Sequence, residues 1–417
     1  MKYNVIVIGG GPAGIMAAGR AREFLPRVLL LERNHNLGAK LLITGKGRCN
    51  ITNYTLDVRE LTKQYGKNGK FLFTAFNKFG VEDVINFFEK QGLKTKVERG
   101  NRVFPESDQA FSVLSALKKY LRDTGVEIRT LSKVEEIIKK GNKIEKIILA
   151  DGEELTADKY VIATGGKSYP LTGSRGDGYE WLKKLGHKII SPKPALVPII
   201  VKEKWVGELE GLSLKNAEIS VWKKGKKIAS QFGEALFTDN GMSGPIILDL
   251  SKIVGESLPE KTELKIDFKP ALDEKKLDER LQKDFKEFGN KMFKNYLPEL
   301  CPAKLIPIMM KLSGISPDKK VNEISREERK ELLKLLKGMV LEAKSLDGYD
   351  RAIVTAGGAD LSEIDPQTMQ SKIIENLYIV GEVLDLDGPT GGYNLQMCWS
   401  TGFLAGSMIK EIARLQD

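Results

Sequence analysis

The chain has 417 residues, 41% hydrophobic and 29% charged, an ordinary globular composition on a length that predicts two or three domains. Its longest apolar runs, such as Val28–Leu31 and Val161–Ala163, fall far short of the ~20 residues a membrane span needs. The net charge of +10 favours anionic partners such as nucleic acid, anionic lipid or nucleotide cofactors, with a solvated lysine-rich surface as the plainer reading.

The N-terminus enters a strand directly and shows no signal-peptide pattern. Cys49, Cys301 and Cys398 form no CxxC pair, and so odd and sparse a count fits a reducing compartment; a cytoplasmic protein is expected. Two histidines, His35 and His187, leave little from which to build a Ser-His-Asp triad or a metal site, and no metal is expected.

In chain order, Tyr3–Ile8 is a continuous apolar run that reads as a strand buried on both faces. A glycine turn follows, then a helix over Ile15–Phe24 and a second buried strand, Val28–Leu31, ending at Glu32. This is a βαβ unit. A Gly- and Lys-rich loop spans Leu37–Asn53. Helices are expected near Gly80–Gln91 and Phe111–Thr124, and strands at Val126–Arg129, Lys133–Lys139, Lys143–Leu149 and Lys159–Ala163. From Ser191 the texture changes: Pro192, Pro194 and Pro198 break regularity, and short β-like stretches run to about Lys269. Lys223-Lys224-Gly225-Lys226 reads as a hairpin tip. Leu272–Lys344 is helical in pattern, with Ser325 and Glu328 spaced as a capping box. Ile353–Thr355 and Leu377–Val380 return to buried-strand composition, and Asn394–Leu415 is a final helix. The expected organisation is an α/β Rossmann-type FAD-binding domain from residues 1–190 plus 346–417, an inserted β-domain over 191–270 and a helical subdomain over 271–345.

The cofactor assignment starts from Gly9-x-Gly11-x-x-Gly14 between strand and helix. Gly9 permits the tight turn, Gly11 lets a pyrophosphate approach the backbone, and Gly14 allows close helix–strand packing. Glu32 can accept both hydrogen bonds of an adenosine ribose. Two further glycine-ended strands, Val161–Gly166 and Tyr378–Glu382, point to FAD rather than NAD, because such segments wrap one extended dinucleotide. The Gly381-Glu382 pair would bring a carboxylate near the ribityl or pyrophosphate. No second Gly-x-Gly-x-x-Gly follows a strand, so any NAD(P)H would bind transiently at the open flavin face. In the loop from Ala39 to Asn53, Lys40 and Arg48 would supply positive charge to the cofactor. Gly388 to Asn394 opens the last helix, whose N–H groups and dipole suit negative charge at the flavin N1–C2=O edge; a simple cap is the alternative. Cys49 has two readings: a proton donor beside flavin N5, or a small packing residue.

Five segments carry a wider likeness: Gly45–Asn53, Arg102–Ser107, Gly165–Pro170, Leu236–Pro245 and Gly381–Asn394. On these blocks the chain resembles the YhiN/BaiN-type flavoproteins, also called the aminoacetone oxidase family, over nearly its whole length. The resemblance implies a FAD domain interrupted by a β-barrel-like domain and a small helical domain. The residues expected at the cofactor are Gly9, Gly11, Pro12, Ala13, Gly14, Glu32, Arg33 and Val134; Lys40, Thr44, Gly47, Arg48, Cys49 and Asn50; Ala163, Thr164 and Gly165; and Gly381, Glu382, Gly391, Gly392, Tyr393, Asn394 and Leu395. Lys46 stands where the family often has glycine.

Activities assigned within that family imply two substrate classes. One is a uridine of large-subunit ribosomal RNA, reduced to dihydrouridine by hydride at C6 and a proton at C5, with Cys49 as the candidate acid and the base unstacked to react. Lys223, Lys224, Lys226 and Lys227 suit an RNA backbone, or else merely solubilise a hairpin tip. The other is a small molecule, a steroid enone or an amine, with NAD(P)H or oxygen as the second substrate. A non-catalytic FAD-binding scaffold is a third reading.

Overall fold

The computed structural model describes residues 2–414, with side chains to 409. It divides into two compact units, one from the residues up to Pro194 together with those from Tyr349 onward, the other Ala195–Gly348.

The first unit is built on a five-stranded parallel sheet in the order Leu377–Ile379, Ala157–Ile162, Tyr3–Ile8, Val28–Leu31, Glu127–Arg129. Both-face burial explains the continuous apolar runs, since Val5, Ile6, Val7, Leu29, Leu30, Val161 and Ile162 are all buried. Register aligns the strand ends: Ile8 pairs with Leu31 and Ile162, and Ile162 pairs with Ile379. The three glycine-ended strands therefore finish side by side on one sheet edge, where strand order reverses and α/β folds bind ligands.

The first helix, Pro12–Arg22, packs against the last, Tyr393–Arg414. Small residues set the spacing. A Cβ on Gly402 would lie 2.3 Å from Ala13 O, and one on Gly406 2.7 Å from Ala17 O. The expected glycine-rich loop contributes a strand. Thr52–Asn53 joins Arg102–Pro105 and Thr95–Glu98 in a small antiparallel sheet. The expected strands near Lys133–Lys139 and Lys143–Leu149 form as Val134–Lys140 and Lys143–Leu149 and pair with each other, with Glu154–Leu155 as a third strand.

The second unit holds a closed six-stranded barrel, in the order Ile199–Val201, Gly241–Ser243, Lys226–Phe237, Ser213–Lys223, Thr262–Asp267, Met339–Leu346. The division expected at residue 270 does not match this barrel, because its sixth strand comes from the stretch read as helical. Met339, Leu341 and Ala343 are buried alternately, so period two replaces the helical period. Helices Glu274–Glu287 and Arg326–Gly338 bury Leu277, Leu281, Leu332 and Leu336 in the same core as Ile219, Val221 and Leu264 of the barrel. The capping box forms, with Glu328 N–H donating to Ser325 Oγ at 3.2 Å and Ser325 N–H to Glu328 Oε2 at 2.7 Å. Among the described residues no helix is long and apolar enough to cross a membrane.

Candidate cofactor and active site

The turn between the first strand and helix has one open position and two closed ones. A Cβ on Gly9, where φ is +112°, would lie 2.5 Å from Ala163 O, and one on Gly14 would lie 1.9 Å from Gly9 O. A Cβ on Gly11 would meet nothing within 4 Å. Helix geometry leaves the first-turn N–H groups after Gly11, beyond Pro12 at those of Ala13 and Gly14, without intrahelical acceptors. That combination of open space, N–H groups and positive helix end is a cradle for a pyrophosphate. Glu32 braces the turn from the next strand: Oε2 accepts from Gly10 N–H at 2.9 Å and Oε1 from Asn34 N–H at 2.8 Å. Burial pushes its carboxyl up against the pull of those two bonds. Each oxygen keeps acceptor capacity for a ribose diol. Val134 is buried two residues beyond Ser132, whose N–H donates to Glu32 O at 2.9 Å. Arg33 is ion-paired to Asp177.

The second and third strand ends are tied to the N-terminal loop by one ion pair. Lys40 Nζ donates to Glu382 Oε2 at 2.8 Å and to Ser168 Oγ at 2.6 Å. Glu382 Oε1 accepts from Thr355 N–H at 2.8 Å and Ser168 O–H at 3.1 Å. The Glu382 carboxylate, expected near the ribityl or pyrophosphate, is thus occupied in joining three stretches of chain. Gly381 brings the backbone in instead, since a Cβ there would sit 2.7 Å from Ala13 Cβ. Ser168, in the Gly165–Pro170 block, and Thr355, at the end of Ile353–Thr355, were not expected at the site, because their partners lie too far along the chain to leave a local pattern.

The loop after Lys40 is a short helix, Ala39–Ile43, followed by left-handed residues: Gly45, Lys46, Gly47 and Cys49 all have φ between +57° and +83°. Lys46 and Cys49 carry side chains there, a strain of about 1–2 kcal/mol each. Thr44 O–H caps Leu41 O at 2.7 Å. Arg48 is bound to Asp108 at 2.9 Å and to Glu98, with its guanidinium 4.0 Å above the Phe104 ring. Its guanidinium charge is thus balanced by carboxylates of the protein itself. Asn50 Oδ1 and Thr164 Oγ1 are buried acceptors with no protein partner.

Gly391 and Gly392, at φ +115° and +104°, lead into the last helix. A Cβ on Gly392 would lie 2.4 Å from Thr52 O. The Asn394 side chain returns to the loop, accepting from Gly388 N–H and donating to Gly388 O, both at 2.9 Å. Gln396 N–H to Gly392 O, at 3.1 Å, is the first turn, so the N–H groups of Tyr393, Asn394 and Leu395 precede it at the positive helix end. Tyr393 O accepts from Tyr65 O–H at 2.7 Å. Asn53 Nδ2 donates to Gly391 O and Gly100 O, both at 3.1 Å, placing the Glu98–Arg102 turn beside this helix start.

The residues present fit a dinucleotide carrying a flavin: a pyrophosphate cradle, an acidic ribose ligand and a second helix end on one sheet edge. The family described as HI0933-like protein Rossmann domain matches residues 3–408. The chain belongs to this family. It is 34% identical over 409 residues to a 3-dehydro-bile acid delta(4,6)-reductase of Clostridium scindens, covering 97% of this chain and 98% of that one. It is 28% identical to the ribosomal RNA dihydrouridine synthase of Haemophilus influenzae, covering 95% and 96%. In fold it resembles a 3-ketosteroid delta1-dehydrogenase from Sterolibacterium denitrificans, with a TM-score of 0.54 at 13% identity, over 99% of this chain and 100% of that one. This HI0933-like protein is an FAD-dependent oxidoreductase.

Within the family frame, the two readings of Cys49 can be weighed. The side chain is wholly buried, and burial pushes its thiol up to about 12. A sulfur with no exposure in the protein alone has no space beside it for cofactor or substrate, so burial favours packing. Cys49→Ala is expected to leave the rate of flavin reoxidation by substrate within about threefold, whereas losing a general acid costs 10²-fold or more. Stopped-flow absorbance at the flavin band measures this. His187 is also structural, buried between Glu363 Oε2 at 3.1 Å and Ser371 Oγ at 2.8 Å.

Proposed function

We propose that this flavoenzyme reduces a carbon–carbon double bond conjugated to a carbonyl in a small, largely apolar molecule. The observation that carries this reading is the 34% identity, across essentially all of both chains, to a protein named as a bile-acid reductase. A second reading, reduction of a uridine in ribosomal RNA, draws on the 28% relative and the net charge of +10. The lysine hairpin does not strengthen it. Lys223 and Lys224 pair with Glu260 at 2.9 and 2.6 Å, and Lys227 pairs with Glu218 at 2.9 Å. Two carboxylates meet four lysines, so about half of that tip's positive charge is already balanced by surface ion pairs and is not free for phosphates.

Enone reduction places a hydride on the β carbon and a proton on the α carbon. FAD bound here, once reduced by NAD(P)H, would supply the hydride, and the proton would come from water. The protein's part is to hold the pyrophosphate at the first helix, the ribose at Glu32, and negative charge at the start of the last helix through the N–H groups of Tyr393, Asn394 and Leu395. With no second dinucleotide motif in the chain, NAD(P)H acts as a transient reductant at the same open face.

The test uses holoenzyme reduced photochemically under anaerobic conditions and mixed with a steroid 4-en-3-one. Return of the oxidised flavin band with formation of the saturated ketone is expected. If the enone leaves the flavin reduced, while a strain lacking the gene loses a dihydrouridine from its ribosomal RNA by mass spectrometry, the RNA reading replaces this one.

A further inference from the structure

The small sheet beside the last helix carries an uneven distribution of charge. Its one carboxylate, Glu98, and Asp108 just beyond the sheet both bind Arg48, and Asp108 also holds Lys96 at 2.6 Å. Arg102 stands directly across the strand pair from Glu98, yet that carboxylate is turned to Arg48. Arg102 instead donates through Nε to Arg99 O at 3.0 Å, with its guanidinium 5.8 Å from the Phe104 ring. Arg99 and Arg102 are both exposed, and among the described residues neither has a carboxylate partner.

Their position gives the imbalance a meaning. The turn they flank is joined to the start of the last helix through one side chain, since Asn53 Nδ2 donates to both Gly100 O and Gly391 O. Tyr54 follows Asn53, is 41% exposed, and donates its N–H to Asn101 O at 2.6 Å in the same turn. The turn thus carries two exposed guanidinium groups with no carboxylate partner, and its backbone is joined to the helix end assigned to the flavin. An anionic group matches that surface, since arginine binds carboxylate or phosphate in a two-point geometry.

We infer that Arg99 and Arg102 form an anion-recognising rim at the mouth of the active site, where they take a carboxylate or phosphate on the molecule that meets the flavin. The inference rests on the enone reading for its substrate, and its shared chemistry has two sources. One is an acidic group on the enone. The other is the phosphate of the nicotinamide nucleotide that reduces the flavin.

The test compares oxidised wild-type holoenzyme with Arg99→Gln/Arg102→Gln and Arg99→Lys/Arg102→Lys. Both positions are exposed, so the fold tolerates the changes. Binding is read from perturbation of the flavin spectrum by a steroid 4-en-3-one with a side-chain carboxylate, its methyl ester, NADH and NADPH. The glutamine variant is expected to bind the acid at least tenfold more weakly and the ester unchanged, with the lysine variant keeping most of the affinity. If the acid is unaffected but NADH and NADPH weaken tenfold, the rim stands and its anion is the nucleotide phosphate. Equal loss of acid and ester, or no change with any probe, overturns it. These titrations need no turnover. Arginine-dependent binding of an acid that is never reduced would therefore sink the enone reading and leave the rim standing.

Discussion

Gly11→Ala is expected to give a folded protein that has lost its cofactor. Gly11 sits at φ −85°, ψ −177°, an extended conformation open to any residue, and an added Cβ meets no protein atom within 4 Å. Alanine is a poorer helix N-cap than glycine by up to about 1 kcal/mol, but it lowers the entropy of the unfolded chain by a similar amount. The apoprotein should therefore unfold within about 2 °C of wild-type apoprotein. The added methyl group occupies the space through which a pyrophosphate reaches the N–H groups of the first helix. Loss of one or two charge-assisted hydrogen bonds, each worth about 1.5–3 kcal/mol, should weaken FAD binding at least about tenfold. Gly14→Ala is the contrast: its Cβ would lie 1.9 Å from Gly9 O, so the apoprotein itself should lose about 2–3 kcal/mol. Thermal unfolding of stripped protein and flavin-fluorescence titration separate the two effects. A yellow Gly11→Ala protein with wild-type affinity would remove the pyrophosphate from this turn.

Much of this site was legible because its signals are local. Strands buried on both faces must be continuously apolar, and each of the three that matter ends on glycine. Tyr3–Ile8, Ala157–Ile162 and Leu377–Ile379 are therefore readable one at a time, and their parallel adjacency follows from sharing one cofactor. The small sheet left no such signal, because Thr52–Asn53 is two residues long and Thr95–Glu98 is polar and half-buried. The helix Pro245–Ser257 was hidden in a stretch dominated by turns, although Pro245 at its first position was a visible start signal. In Met339–Leu346 the alternation was available, but it followed a strong helical pattern without a break. Arg48 shows a different limit. Its charge was plain in the sequence, but the carboxylates that neutralise it lie 50 and 60 residues away.

The same limit applies to Lys40 and Glu382, and removing Lys40 should be the most damaging single charge deletion in the site. The two are 342 residues apart in sequence, and their side chains are only 20% and 12% exposed. Lys40→Met leaves the Glu382 carboxylate with the Thr355 and Ser168 donors but no counter-charge. Breaking one side of a buried pair costs about 3–5 kcal/mol, and the residual exposure puts this one near the lower end. Glu382→Gln retains an oxygen to accept from Thr355 N–H, so the double variant Lys40→Met/Glu382→Gln removes the stranded charge and keeps part of the network. It should be more stable than Lys40→Met alone by over about 1 kcal/mol, whereas Glu382→Gln in the wild-type background should destabilise, and the difference between these two effects of the same substitution is the coupling energy expected of groups in contact. Urea unfolding of the apoproteins reads the cycle directly. A double variant no more stable than Lys40→Met would mean the pair does not hold the three segments together. If the coupling appears in apoprotein and FAD affinity falls in step with it, the convergence of the loop, the mid-chain strand and the C-terminal strand is set by the protein before the cofactor arrives. That ordering would make the pair a positioning device for the cradle and not a ligand within it.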